Sequence, residues 1–202
     1  LAEKGWDTSE AIKVAAGEKG SKVHQACEVL DKGEDIKIED LFINPTTGQP
    51  EELTTEEVEA IVSYRDWHKE NKPEIFAVEM TIFGEAWAGT LDRIMRIAGQ
   101  IWIVDLKTGQ NIWEDGRLQV SAYSHCDIDY KTLGIKDEEW QTRKLAILQI
   151  GYKKNQRGFK FTEIEDKFGL FEGVAYEIWR NENPEAKPKQ RDLPLVITLK
   201  DT

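Results

Sequence analysis

Three stretches in the middle of the chain alternate apolar and polar residues as β-strands do. They span residues 74–83, 87–97 and 100–108, and the connections between them are short and contain glycine. A side-chain period of two is typical of strands that bury one face, and short glycine-containing connections favour antiparallel pairing of neighbours. We therefore predict an antiparallel meander of three strands at the centre of the fold.

Helices and further strands are predicted on both sides of this meander. The strongest helical pattern covers residues 54–71, where a Thr cap and early glutamates precede an apolar face and Pro73 follows the end. The other predicted elements are one or two helices over 8–31 with a glycine joint, a loop over 33–53, a helix over 113–130, strands over 143–154 and 158–165, and a closing helix over 168–184. This order predicts an α/β fold whose mixed central sheet contains the antiparallel meander and is flanked by helices.

The length of the chain fits one domain with its own core. With 202 residues, the chain is predicted to form a single domain over 1–185. Residues 186–202 are rich in proline and charge at first and then apolar. We predict that they form a C-terminal arm that docks on the body or on another subunit.

Charge and cysteine content exclude several classes of protein. The formal net charge is −11, which argues against a protein that coats nucleic acid electrostatically, but not against an enzyme that meets phosphates through a metal ion. The two cysteines, Cys27 and Cys126, are too few for a disulfide framework or for the four thiolates of an iron–sulfur cluster. The low cysteine content leads us to expect an intracellular, cytoplasmic protein. We expect no membrane contact, because no apolar run approaches the length of a membrane span.

The third predicted strand ends in an unusual way. The apolar residues 101–104 are followed by Asp105 and Lys107, and Thr108 and Gly109 then turn the chain. A period of two places both charged side chains on the same face of the strand. They form either an ordinary surface ion pair or one side of a site that faces a shared ligand.

Carboxylates on the neighbouring strands favour the second interpretation. Asp92 follows Gly89 in the second strand, and Glu79 in the first strand is expected to face the same side. Converging carboxylates repel one another unless a divalent cation lies among them, and oxygen ligands of this kind suit Mg²⁺ or Mn²⁺. Lys107 beside such a cluster would polarise a scissile phosphate or orient water.

A basic segment joins the last two predicted strands. It carries Lys153, Lys154 and Arg157, with Lys160 just beyond. The segment is either a soluble charged turn or a local contact for phosphate that offsets the acidic total.

At this point the sequence resembles a known family. Asp92 followed by Asp105-x-Lys107 is similar to the signature of the PD-(D/E)XK nuclease superfamily. Two further elements resemble its RecB-type exonuclease branch. They are a Gly-x-x-x-His element that ends at His24 and a Gln-x-x-x-Tyr element formed by Gln119 and Tyr123. The elements occur in the family's order, and the resemblance covers residues 17–165 approximately.

The resemblance implies a fold and a role for each of these residues. The fold would be the PD-(D/E)XK nuclease core. His24, Asp92 and Asp105 would be metal ligands, Lys107 would be the catalytic lysine, and Glu79 would support the cluster. Gln119 and Tyr123 would contact the substrate or organise the site, and the basic segment would add phosphate contacts. With only two cysteines, the chain resembles the relatives without an iron–sulfur cluster, as among phage and mitochondrial exonucleases.

The resemblance also implies an activity. We expect a Mg²⁺- or Mn²⁺-dependent DNA nuclease, an exonuclease of DNA repair or recombination, which hydrolyses phosphodiester bonds with metal-activated water. Its partners would be DNA and either a second copy of the chain or a recombination protein. Three alternatives remain open: an endonuclease of the same fold, a non-catalytic nucleic-acid-binding module, and a metal-dependent phosphoesterase that acts on nucleotides.

Overall fold

The computed structural model describes residues 2–85, 87–177 and 181, so the predicted arm over 186–202 and the predicted domain end at residue 185 lie outside the described residues. The helices are α1 (Ala2–Asp31), α2 (Thr55–Asn71), α3 (Glu114–Ser124), α4 (Asp137–Gln141) and α5 (Phe168–Leu170), which continues as a π-helical segment (Phe171–Tyr176). The strands are β1 (Phe42–Ile43), β2 (Pro50–Glu51), β3 (Glu74–Phe83), β4 (Ala88–Ile97), β5 (Gln100–Lys107), β6 (Lys144–Ile150) and β7 (Phe159–Ile164).

Strands β3 to β7 form one five-stranded sheet in sequential order. All neighbours are antiparallel except β5 and β6, which run parallel. Parallel neighbours need a long crossover connection, and the chain between β5 and β6 supplies it with α3 and α4. The predicted meander and the predicted mixed α/β fold are therefore confirmed.

The sheet lies between two hydrophobic layers. Helices α1 and α2 pack on one face, and α3 and α4 pack on the other. Strand β5 alternates between the layers: Val104 is buried on the α1–α2 side and Ile103 on the α3 side. A fully buried aliphatic side chain of this kind contributes about 1.5–3 kcal/mol. Side chains two residues apart share a face of the strand, so Asp105 and Lys107 lie on the same face as Ile103, at the end of the strand.

The two helices of the first layer follow their sequence signals. In α2, the predicted capping box is present: Thr54 Oγ1 accepts the Glu57 amide, and Glu57 Oε2 accepts the Thr54 amide at 2.6 Å. A cap of this type is worth about 1 kcal/mol. The stretch over 8–31 lies in one helix, α1, that runs through its glycines. Gly20 faces the end of β5, where an added Cβ would lie 3.9 Å from Thr108 Oγ1, so the helix passes close to the sheet.

Several element boundaries differ from the prediction. Helix α3 ends at Ser124 rather than at residue 130. The helix does not continue through Asp127, because the Asp127 amide donates to the Phe83 carbonyl at the end of β3. Helix α4 was not predicted, and the predicted loop over 33–53 contains the β1–β2 pair. Among the described residues, no helix combines the length and the apolar character that a membrane span requires.

Candidate active site

The candidate site lies where β4 and β5 separate. Their last paired residues are Arg93 and Val104. Further along β5, Leu106 still pairs with β6, but its backbone N–H and carbonyl are bonded to side chains where β4 would otherwise continue. Its N–H donates to Asp92 Oδ2 at 2.6 Å, and its carbonyl accepts a hydrogen bond from His24 Nε2 at 3.1 Å. One residue of β5 therefore anchors side chains from β4 and from α1 at the same point.

The hydrogen bond from His24 determines which ring nitrogen faces the site. A carbonyl can only accept, so Nε2 carries the proton and Nδ1 is directed toward the carboxylates. Nδ1 lies 3.3 Å from Glu79 Oε1 and 3.7 Å from Asp92 Oδ2. Burial lowers the pKa of His24, but the hydrogen bond to Glu79 and the charge of Asp92 outweigh it and leave the pKa raised. Without a metal ion, the neighbouring carboxylates therefore favour the protonated form of this imidazole.

Glu79 reaches the site through an unusual backbone conformation. It lies between the residues of β3 that pair with Arg93 and Leu91, which places it opposite Asp92. Its φ of 46° lies in the left-handed region, which costs a residue with a Cβ about 1–3 kcal/mol. Arg93 Nη1 donates to Glu79 Oε1 at 2.9 Å. Burial raises the pKa of Glu79, but His24 and Arg93 lower it by more.

A buried ion pair lies beneath Glu79. Arg93 Nε donates to Asp31 Oδ2 at 2.5 Å, and both side chains are fully buried. Tyr64 Oη donates to the other Asp31 oxygen at 2.6 Å. The charge of Arg93 is thus compensated by Asp31 on one side and by Glu79 on the other. A continuous chain of polar contacts runs from α2 through Asp31 and Arg93 to the candidate metal ligand Glu79.

Asp105 and Lys107 lie beside this cluster. Lys107 Nζ is 3.0 Å from Asp105 Oδ1 and 2.9 Å from Oδ2, and the Asp105 side chain is only 5% exposed, so this is not a surface ion pair. Burial, together with the charge of Asp92, raises the pKa of Asp105 to about 7 although Lys107 opposes the change. Asp105 Oδ2 is buried and meets no donor in hydrogen-bond geometry among the described residues. Its close neighbour is the Lys107 ammonium at 2.9 Å, and a carboxylate oxygen has a second lone pair that could face a metal cation.

Helix α3 positions the lysine. Gln119 Oε1 accepts from Lys107 Nζ at 3.3 Å, and Gln119 Nε2 donates to Tyr123 Oη at 3.0 Å. Gln119 and Tyr123 are one helical turn apart and share a face. Gly89 makes room for this arrangement, because a Cβ there would lie 2.5 Å from the Tyr123 ring and hydroxyl.

The donor set fits a divalent cation. Ligand atoms of His24, Glu79 and Asp92 all lie within 4.8 Å of one another. Asp105 is not among the side chains that meet this distance, and its buried Oδ2 lies 2.9 Å from Lys107 Nζ. Carboxylate oxygens with one neutral imidazole suit Mg²⁺ or Mn²⁺, and the converging carboxylates of Glu79 and Asp92 are more stable around a cation than without one.

Comparison with models of protein families identifies the superfamily of this chain. The model of the PD-(D/E)XK nuclease superfamily matches residues 6–126, more than half of the chain. The chain belongs to this superfamily. Its nucleases use divalent metal ions, and the matched region contains the whole cluster from α1 to α3. The sequence was also compared with curated proteins, and this comparison found no significant match.

The basic segment between β6 and β7 lies outside the region that matches the superfamily. Each of the three predicted phosphate-binding side chains has a partner on the body: Lys153 with Glu56, Lys154 with Asn111, and Arg157 with Glu70. Two of these partners are carboxylates, which compete with a substrate phosphate for the positively charged side chain. The contact of this segment with a substrate stays a prediction, and it is best supported for Lys154, whose partner is neutral.

Sequence reasoning did not find the buried pair of Asp31 and Arg93. A signal existed for each residue. Asp31 is two turns after His24 on α1, so the two side chains share a face. Arg93 follows Asp92 in a strand, so it points to the opposite side, toward the layer of α1 and α2, where an unpaired charge would be costly.

Proposed function

We propose that the protein is a metal-dependent DNA nuclease in which His24, Glu79, Asp92 and Asp105 hold a divalent cation beside Lys107. One observation carries the proposal most directly. His24 Nδ1 and the oxygens of Glu79 and Asp92 converge at one point. The buried carboxylate of Asp105 lies close enough for the charge of Asp92, in addition to burial, to raise its pKa, and it also contacts Lys107. Such an arrangement is costly for a protein that never binds a cation and favourable for one that does.

The cation, as Mg²⁺ or Mn²⁺, would lower the pKa of a water molecule and neutralise charge that builds up on the phosphate. The other roles fall to the chain itself. Lys107 places a positive charge at the edge of the cluster, where a scissile phosphate would lie. Asp105 and Gln119 orient its ammonium from two sides, and Tyr123 holds Gln119. The hydrogen bond from His24 to Leu106 keeps Nδ1 available as a ligand.

The proposal extends to the mode of cleavage. The Gly-x-x-x-His element of α1 and the Gln-x-x-x-Tyr element of α3 resemble those of the RecB-type exonuclease branch, and in this fold His24 lies in the ligand group and Gln119 contacts Lys107. Both cysteines are buried, and burial raises the pKa of Cys27 and of Cys126, so neither is prepared to bind metal as a thiolate. This supports a DNA exonuclease of the type without an iron–sulfur cluster, as found among phage and mitochondrial enzymes.

Cleavage of DNA with and without free ends tests the proposal. We expect linear single- or double-stranded DNA to be degraded in Mg²⁺ or Mn²⁺, covalently closed circles to be spared, and all cleavage to stop in EDTA. Asp92→Asn should abolish cleavage because it removes a charged ligand, whereas Asp66→Asn, at an exposed ion pair on α2, should not. Cleavage that survives chelation would contradict the proposal, and equal cutting of closed circles would indicate an endonuclease.

A further inference from the structure

A second pocket opens on the far side of Lys107 from the metal cluster. It has a volume of about 390 Å³ and lies between the end of β5 and the start of α3. Its lining includes Lys107, Asn111, Trp113, Asp115 and Gln119. The volume is within the range of about 300–1,000 Å³ that is usual for small-molecule sites.

Trp113 is one of the residues that line this pocket. It is the N-cap residue of α3, and 70% of its surface is exposed. A tryptophan can bury about 150–250 Å², and this one leaves most of its ring surface in water. Packing of the hydrophobic core therefore does not explain why an indole lies at this position.

We propose that the pocket is a subsite for one unpaired nucleobase, which stacks on Trp113 while the adjacent phosphate lies at Lys107. This inference rests on the proposed function and adds a substrate class, a strand whose terminal bases are not paired. Aromatic platforms beside cations are the usual means by which proteins bind single strands, since every base has a face that can stack. In a duplex an internal base is covered on both faces by its neighbours, and the terminal base is held by its pairing partner, so neither can enter a pocket that takes one base.

The position of Lys107 supports the path of such a strand. Lys107 lines both this pocket and a larger groove of about 900 Å³ that contains His24 and Glu79. A phosphate held by Lys107 would thus have the metal cluster on one side and Trp113 on the other. Consecutive nucleotides of one strand likewise alternate a neutral base with a charged phosphate.

Charged side chains at this pocket would favour a neutral base inside it and the phosphates outside it. Asp115 lines the pocket, and its Oδ1 accepts the Gly116 amide, so the carboxylate is held in place beside Trp113. A fixed negative charge there disfavours a phosphate inside the pocket and leaves it to a neutral base. Lys154 Nζ donates to Asn111 Oδ1, another residue of the lining, which places a cation next to the pocket.

Steady-state cleavage of matched substrates by Trp113 variants tests the inference. The substrates are a short single-stranded oligodeoxynucleotide and a blunt hairpin with the same terminal sequence. We expect Trp113→Ala to raise KM for the single strand by about 5- to 150-fold, which corresponds to the 1–3 kcal/mol of one stacked base, with little change for the hairpin. Trp113→Phe should recover most of the loss because a phenyl ring still stacks.

Phe83→Ala is the matched control, because Phe83 is 63% exposed but does not line the pocket, and it should leave both KM values unchanged. Thermal melting should confirm that all variants are folded. An unchanged KM for the single strand in Trp113→Ala, or equal losses on both substrates, would overturn the inference while metal-dependent cleavage by the wild type kept the proposed function. If the wild type cleaves neither substrate, both proposals fail.

Discussion

Replacement of Asp105 by asparagine should stabilise the metal-free protein at alkaline pH. The carboxylate is 5% exposed and lies next to a second buried carboxylate, Asp92. Asparagine has nearly the same shape but no charge, so it removes the cost of burial and the repulsion together. Loss of an active-site carboxylate is therefore expected to increase the free energy of unfolding.

The pKa of Asp105 gives the size of the effect. It is about 7 in the folded protein against an ordinary value of 3.8. Each pKa unit corresponds to about 1.4 kcal/mol, so the ionised carboxylate costs the folded state up to about 4 kcal/mol. Lys107 loses its partner in the variant, but its side chain is 36% exposed and can turn to water. We expect a net gain of about 1–3 kcal/mol after this loss.

The sign of the pH dependence follows from the direction of the pKa change. Because the folded state holds the proton more tightly than the unfolded state, wild-type stability falls relative to the variant as the pH rises from about 4 to about 7, and the difference is constant above that. Urea denaturation in EDTA at about pH 5 and about pH 8 measures it. The gain of Asp105→Asn should be larger at the higher pH.

A control substitution and the addition of Mg²⁺ test the same reasoning. Asp137 is exposed and pairs with Lys131, which lowers the pKa of Asp137, so Asp137→Asn should give no gain at either pH. Saturating Mg²⁺ should stabilise the wild type by about 2.7 kcal/mol at 100 times Kd, and the variant by less. A variant that is less stable than the wild type at pH 8, or a gain that does not depend on pH, would refute the reasoning.

Three other substitutions examine the surroundings of the cluster. Lys107→Ala should lower single-turnover cleavage by about 10²–10³ and leave metal affinity, measured by titration, unchanged; cleavage near the wild-type rate would remove the lysine from the mechanism. Asp31→Asn should cost about 3–5 kcal/mol in chemical denaturation, because it leaves Arg93 buried with half of its compensation, and a loss below 1 kcal/mol would show that the pair is dispensable. Gly89→Ala should cost about 1–3 kcal/mol and slow turnover, because its Cβ would overlap the Tyr123 ring. In a Tyr123→Ala background the same change should cost little further stability, and no loss in Gly89→Ala alone would contradict the packing.

Much of the fold and of the site follows from local patterns in the sequence. Alternating residues give β3, β4 and β5, and the Thr54 cap gives the start of α2. The spacing of Asp105 and Lys107 places them on one face of a strand, and the spacing of Gln119 and Tyr123 places them on one face of a helix. These features depend on neighbours a few residues apart, so they are encoded locally.

Features that need distant parts of the chain were not predicted. The basic residues of the β6–β7 connection meet Glu56 and Glu70 on α2, which no local pattern indicates. Helix α3 stops early because Asp127 reaches the end of β3. The pairing of Asp31 with Arg93 joins α1 to β4 across the layer, and its energy depends on burial that only the packed structure provides.

The sequence alone therefore determines which residue types are available for a metal site, and tertiary structure decides which atoms face it. His24 offers two ring nitrogens, and the carbonyl of Leu106 selects Nδ1. Glu79 lies in an ordinary strand pattern, yet its left-handed backbone and Arg93 bring its carboxylate to His24. The physical reason is that β4 and β5 separate just before Leu106, so side chains from both faces of the sheet complete its hydrogen bonds, and this separation is a property of the assembled sheet rather than of either strand.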